Sequence, residues 1–209
     1  AWISADVQSR VEDQGSEELD AGQQDSNSRA QTLDVALNRL SMVFDEFKFD
    51  VDTRRHLPRD MGGAELAVVT AHGTLSRDER YLRSIRDDAR LVEPPSALAS
   101  ALAGIELVIL FVCSAGRIDK NPWDNSTVSL PKQLLSGGTR AVVASPWPLD
   151  VIVTYNWLAP FLRAWEQGQT VLDATKIAND AVARHLGDAP QYFLALRVYG
   201  DPLLTKATE

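Results

Sequence analysis

The chain has 209 residues, a formal net charge of −8, 44% hydrophobic and 24% charged residues, and a single cysteine. That is enough chain for one domain with a full core, and its acidic balance excludes nucleic-acid binding as the main activity, since no basic patch would track phosphates. No apolar run approaches the about 20 residues that span a bilayer, and one cysteine cannot build a disulfide framework, which fits a reducing cytoplasm.

Ala1 to Val7 reads as a first strand. Residues 9–28 are polar and acidic with almost nothing apolar, a composition expected of a mobile surface loop. A helix is predicted from about Arg29 to Phe44, with Leu33, Ala36, Leu37, Leu40 and Val43 at helical spacing. Phe47 to Val51 alternates like a strand, and Leu57 to Gly63 reads as a loop. Leu66 to Ala71 is a short apolar strand that delivers His72 and Gly73 at its carboxyl end. Tyr81–Ile85 and Ala89–Val92 suggest a small hairpin, and a short helix after Pro95 returns to the next strand. Ile105 to Val112 is apolar except for Glu106 and stops at Cys113, the pattern of a strand buried on both faces. A polar stretch follows from Arg117 to Thr127, then a helix with Ser129 as N-cap, Pro131 in its first turn and Gly137-Gly138 at its end. Thr139 to Ser145 is the next buried strand. Two long helices are predicted, Val151 to Gln167 with Pro160 inside and Thr170 to Leu186 closed by Gly187, before a final strand over Tyr192 to Tyr199. Strands alternating with helices predict a doubly wound α/β domain, a mostly parallel sheet with helices on both faces, over the single domain 1–209. The chain opens on Ala1 rather than Met, within what reads as structure, so a longer protein with an upstream regulatory region is expected.

In parallel sheets ligands bind outside the carboxyl ends of the strands. His72 and Cys113 each stand at such an end, and their separation of 41 positions leaves room for the crossover that parallel neighbours need. A thiol with its free pKa of about 8.5 is a weak nucleophile until a base takes its proton, and an imidazole does so and later protonates a leaving amine. A carbonyl under attack also needs oxyanion donors, each worth about 3 kcal/mol. The N–H groups of Gly73 and Cys113 are the candidates, and Ser114, Ala115 and Gly116 keep the far side of the sulfur open. A lone cysteine in an apolar run is most often an inert core residue, and a lone histidine at a strand end usually satisfies a hydrogen bond. The two together, each at a strand end with glycine close behind, favour acyl transfer over either inert reading.

These residues resemble a known family. Ala71-His72-Gly73 and Val112-Cys113-Ser114-Ala115-Gly116 are similar to the His-Gly and Ala-Cys motifs of caspase-like cysteine peptidases. The stretch from Gly137-Gly138 to Ser145-Pro146-Trp147-Pro148-Leu149-Asp150, with the closing Tyr199-Gly200-Asp201-Pro202, resembles the CHAT domain group more specifically. The resemblance covers about residues 64–203. It implies a caspase–hemoglobinase-like fold (a three-layer α/β sandwich), protein cleavage with His72 and Cys113 as the dyad, and an oxyanion hole of the Gly73 and Cys113 N–H groups. It implies a peptide or protein substrate lying extended beside Ser145, Pro146 and Trp147. It also implies the setting of a regulated bacterial defence or cell-death protease, with a gasdermin-like or other effector protein as target and an upstream sensor or tetratricopeptide region as partner.

Caspases carry a glutamine two positions before the nucleophile that helps hold an aspartate, and here Phe111 stands there. Phe111 and Trp147 would line a pocket for a small or apolar residue. Asp150, or Asp6 at the end of the first strand, would instead pair with Arg or Lys, although Asp150 is better explained as a helix N-cap. The Arg117 to Thr127 stretch is a candidate for ordering or cleavage on activation. His185 suits the negative end of its helix, His56 a solvated basic loop, and no clustered His and Cys spacing suggests zinc or another cofactor. A catalytically silent module that binds a partner through the same cleft is the alternative function. A flavodoxin-like nucleotide site is excluded, since no glycine-rich loop follows the first strand.

Overall fold

The structure is a computed structural model that describes residues 2–4, 35, 37–54, 61, 63–75, 83–86, 92–93, 95–120 and 127–207, with the backbone alone given for 2–4, 53–54, 72–75, 83–86, 92–93, 119–120 and 127–128. In chain order come strand β1 (Trp2–Ser4), helix α1 (described over 37–46), strands β2 (Thr53–Arg54), β3 (Leu66–Leu75), β4 (Arg83–Arg86) and β5 (Val92–Glu93), and helix α2 (Pro95–Ala101). Then follow β6 (Leu107–Val112), β7 (Asp119–Lys120), β8 (Thr127–Val128), α3 (Leu130–Ser136), β9 (Ala141–Ala144), α4 (Val151–Glu166), α5 (Val171–Leu186), α6 (Pro190–Phe193) and β10 (Arg197–Gly200).

The main sheet has the order β10-β9-β6-β3-β1-β2. Every pair along it is parallel except β9 with the edge strand β10. Strand alternation then sorts the core into two layers. Leu107, Ile109 and Phe111 of β6 join Ala141 and Val143 of β9 against α1, α4 and α5. Val108, Leu110 and Val112 join Val142 and Ala144 against α2 and α3. The continuous apolar run is thus explained by burial on both faces, with all six residues of β6 buried. Glu106, its one polar residue, lies just outside the strand, where its carbonyl accepts the N–H groups of Arg140 and Ala141 and its carboxylate meets Arg140 at 3.2 Å.

An aromatic file fixes α4 to the sheet. Trp157, Phe161 and Trp165 recur every four residues and stack, the first pair at 4.6 Å between centroids, while Trp157 meets Phe111 edge-on. Trp157 donates its indole N–H to the Asn179 side-chain oxygen at 2.9 Å, and Asn179 also binds both main-chain groups of Leu196. One buried amide therefore locks α4, α5 and the approach to β10 together. Ser129, Asp150 and Thr170 cap α3, α4 and α5 as predicted, and Pro160 lies within α4.

Several local expectations are corrected. Residues 47–51 form no strand: Phe47 and Phe49 stack on one another and pack on the core, which produces the same alternation. β3 runs four residues past Ala71, and its extension pairs antiparallel with β4 of the expected hairpin. Part of the polar stretch after Cys113 forms the two-residue strands β7 and β8, which pair antiparallel. The final strand is shorter than expected because Pro190 starts a helical turn first. The predicted loop over 9–28, Asp6 and His56 lie outside the described residues.

Candidate active site

The parallel pairing of β3 with β6 runs from Leu66 opposite Leu107 to Ala71 opposite Val112. His72 and Cys113 are therefore the next residues of two adjacent strands, whose spacing is about 4.8 Å. The backbone of β3 continues through His72 and Gly73, which pair with Arg86 and Ile85 of β4. β6 instead ends, and the chain turns sharply at Cys113.

That turn is held from three sides. Ser114 takes a left-handed conformation (φ 55°), uncommon for a residue with a side chain. Its N–H donates to the Trp147 carbonyl at 2.8 Å, and the Gly116 N–H donates to the Ser145 carbonyl at 2.8 Å. The Tyr199 hydroxyl of β10 donates to the Gly116 carbonyl. Gly116 is required here for space, since a Cβ would lie 2.6 Å from the Tyr199 oxygen and 3.0 Å from the Ala144 carbonyl oxygen. Burial pushes the Tyr199 phenol above the ordinary tyrosine value, and the Arg197 charge pulls it partly back.

Cys113 is partly buried. Its sulfur accepts the Leu149 N–H at 3.4 Å and faces the Leu149 carbonyl at 3.6 Å. Leu149 directly precedes Asp150, the N-cap of α4, so the sulfur lies beside the positive end of a sixteen-residue helix. An oriented sulfur at a strand end, next to a helix amino terminus, is suited to attack on an electrophilic carbon.

The other expected site residues divide. Trp147 is 36% exposed and stands open beside the turn. Ser145 is buried and closes its own turn: its hydroxyl donates to the Trp147 carbonyl and accepts the Trp147 N–H. Pro146 bridges them, half-buried. Phe111 does not line an open pocket, a correction that follows from strand parity: it shares the face of Leu107 and Ile109, is 3% exposed and packs on Trp157. The Asp150 carboxylate is exposed and accepts the Ile152 N–H at 3.0 Å, the cap favoured from the sequence. Sequence reasoning missed Leu149, whose peptide contact with the sulfur depends on the path of the chain after β9 and leaves no mark in residue type. It also missed the tie between Tyr199 and Gly116, although both residues had drawn notice within separate motifs.

A cavity of about 690 Å³ lies at the other end of the strands, bordered by Phe44, Val51, Leu66, Glu106 and Trp165, and includes none of the candidate residues. Among the described residues, no group of three or more His, Cys, Asp or Glu could hold a metal ion, and no helix is long and apolar enough to cross a membrane.

No curated protein matches the chain. The family model described as CHAT domain matches residues 53–195, a span that runs from β2 through both candidate residues to the segment before β10. This match covers more than half of the sequence, and the mostly parallel α/β sandwich agrees with it: the chain belongs to the CHAT domain family, a family of caspase-like cysteine peptidases.

Proposed function

We propose that the chain is a cysteine endopeptidase that cleaves a protein substrate through Cys113 and His72. The observation that supports this most is the β3–β6 register, which puts the two residues next in line on neighbouring strands after their last paired positions. His72 takes the thiol proton as the sulfur adds to the scissile carbonyl carbon, and the Gly73 and Cys113 N–H groups receive the oxyanion. The C–N bond breaks as the imidazolium returns that proton to the leaving amine. Water, deprotonated by His72, then hydrolyses the thioester to a carboxylate and the free thiol. Trp147 forms the open wall of the substrate cleft, and the Ser145–Trp147 turn is its rigid base.

The wider role is that of a regulated bacterial defence or cell-death protease in the cytoplasm, acting on a gasdermin-like effector or another protein and governed by an upstream sensor or tetratricopeptide region. Family membership alone supports that setting. One feature favours the rival role of a catalytically silent binding module: the sulfur rests between the Leu149 N–H and carbonyl, and the Trp147 main chain is already engaged by Ser145 and Ser114.

Digestion of an unfolded protein mixture, with new amino termini identified by mass spectrometry, separates the two. Cleavage by the wild-type chain that disappears in Cys113→Ala supports the peptidase. Cleavage of equal extent in both, or none in either, refutes it. Arg or Lys before the cleaved bond, lost in Asp150→Ala, would give Asp150 a role beyond its cap.

A further inference from the structure

The row of strand ends does not stop at Trp147. Arg197 opens β10 and pairs with Ala144, the last residue of β9, so it stands at the same edge as Cys113 with one strand between. Its guanidinium lies 5.8 Å from the centroid of the exposed Trp147 ring. The chain carries 29 acidic residues against 21 Lys and Arg, and two other exposed arginines hold carboxylates: Arg140 meets Glu106 and Asp201, and Arg163 meets Glu46. Arg197, also exposed, has neither an ion pair nor a hydrogen bond to its side chain among the described residues. Asp150, the acid of the Ser145–Asp150 segment, accepts the Ile152 N–H with its carboxylate.

A guanidinium resting against an indole is restrained in place while the N–H donors along its edge stay free for a carboxylate, which they fit bidentately. We propose that Arg197, seated against Trp147, is a specificity-determining residue that receives the carboxylate of an acidic substrate side chain, a role that rests on the peptidase reading of Cys113. Arg197 is level with Leu110 through Ala144, so the tips of β6 and β10 are two strand spacings apart laterally and two residues apart along the strands, about 12 Å in all, the length of about four extended residues. The acidic residue therefore lies within about four positions of the scissile bond. This is a different device from the caspase glutamine whose place Phe111 occupies, and it uses a residue on the antiparallel edge strand.

The test uses two fluorescent peptide libraries, identical except that one carries Asp or Glu at each varied position and the other Asn or Gln. Cleavage is measured with the wild-type, Arg197→Gln and Arg197→Glu chains, and binding with Cys113→Ala and with Cys113→Ala combined with Arg197→Gln. Thermal unfolding of each variant checks that the exposed substitution leaves the fold intact. The wild-type chain is expected to favour acidic peptides about tenfold, the size of one exposed charge-assisted hydrogen bond. The preference should shrink as salt rises, vanish in Arg197→Gln and turn against acidic peptides in Arg197→Glu. Equal cleavage of both libraries, or a preference that survives Arg197→Gln, overturns the role of Arg197 and leaves the peptidase standing. If nothing is cleaved, the binding arm decides: Arg197-dependent capture of acidic peptides by Cys113→Ala keeps the recognition role and removes the peptidase, whereas equal or absent binding removes both.

Discussion

Gly116→Ala is the sharpest perturbation of the cysteine turn. The new methyl would lie 2.6 Å from the Tyr199 oxygen, 3.0 Å from the Ala144 carbonyl oxygen and 3.1 Å from the Ser145 carbonyl carbon. The last two are main-chain atoms of a buried strand end and do not yield, so the turn itself must shift. Overpacking of this kind costs about 1–3 kcal/mol. Displacing Tyr199 also weakens its hydrogen bond to the Gly116 carbonyl, a further loss of about 1 kcal/mol. The total of about 2–4 kcal/mol corresponds to a fall in Tm of roughly 4–16 °C for a domain of this size. Calorimetry of the wild type, Gly116→Ala, Tyr199→Phe and the double variant tests the reasoning. Removing the hydroxyl relieves only the closest of the three contacts, but the lost Tyr199–Gly116 hydrogen bond is common to both single variants, so the double variant should be destabilised by less than the sum of the singles, by about 1 kcal/mol. Strict additivity, or a Gly116→Ala chain as stable as wild type, would refute this account of the turn.

Asn179→Leu strands the Trp157 indole N–H and both main-chain groups of Leu196 in a buried site, and should lower stability by about 3 kcal/mol in urea unfolding with an unchanged m-value; a loss under about 1 kcal/mol would contradict it. Ser114→Gly suits the left-handed backbone and should be neutral or stabilising by up to about 1 kcal/mol, whereas Ser114→Val should cost about 2 kcal/mol, and equal melting temperatures for the two would refute the strain argument. Tyr199 has a folded-state value raised by burial, so its contribution is complete below the ordinary tyrosine range and lost as pH rises through the raised value. Stability above pH about 10 should therefore fall more steeply with pH in the wild type than in Tyr199→Phe, and parallel pH profiles would count against the raised value.

The buried strands were legible because β6 and β9 have no solvent face, so their sequences are unbroken apolar runs. Ser129, Asp150 and Thr170 were legible as caps because capping is a local bond between a side chain and an N–H two or three residues ahead. The stretch at 47–51 misled because Phe47, Phe49 and Val51 reach the core from irregular backbone, and alternation alone does not distinguish that from a strand. Phe111 misled for the opposite reason: its nearness to Cys113 suggested a pocket, while its parity with Leu107 and Ile109 turns it into the layer under α4. The contacts that shape the site join residues far apart in sequence: Cys113 with Leu149, Gly116 with Tyr199, and Trp147 with Arg197. Such contacts exist only once β9 and β10 are in register, and no local pattern encodes them.

The most direct measurement is the rate at which iodoacetamide alkylates Cys113 at neutral pH in the wild-type chain and in His72→Ala, with unfolded chain as reference. A functioning pair predicts that the folded wild type reacts faster than unfolded chain and that His72→Ala loses the excess while keeping its melting temperature. Alkylation at the same rate with and without the imidazole, or a folded thiol that does not react at all, would contradict the pairing of His72 with Cys113.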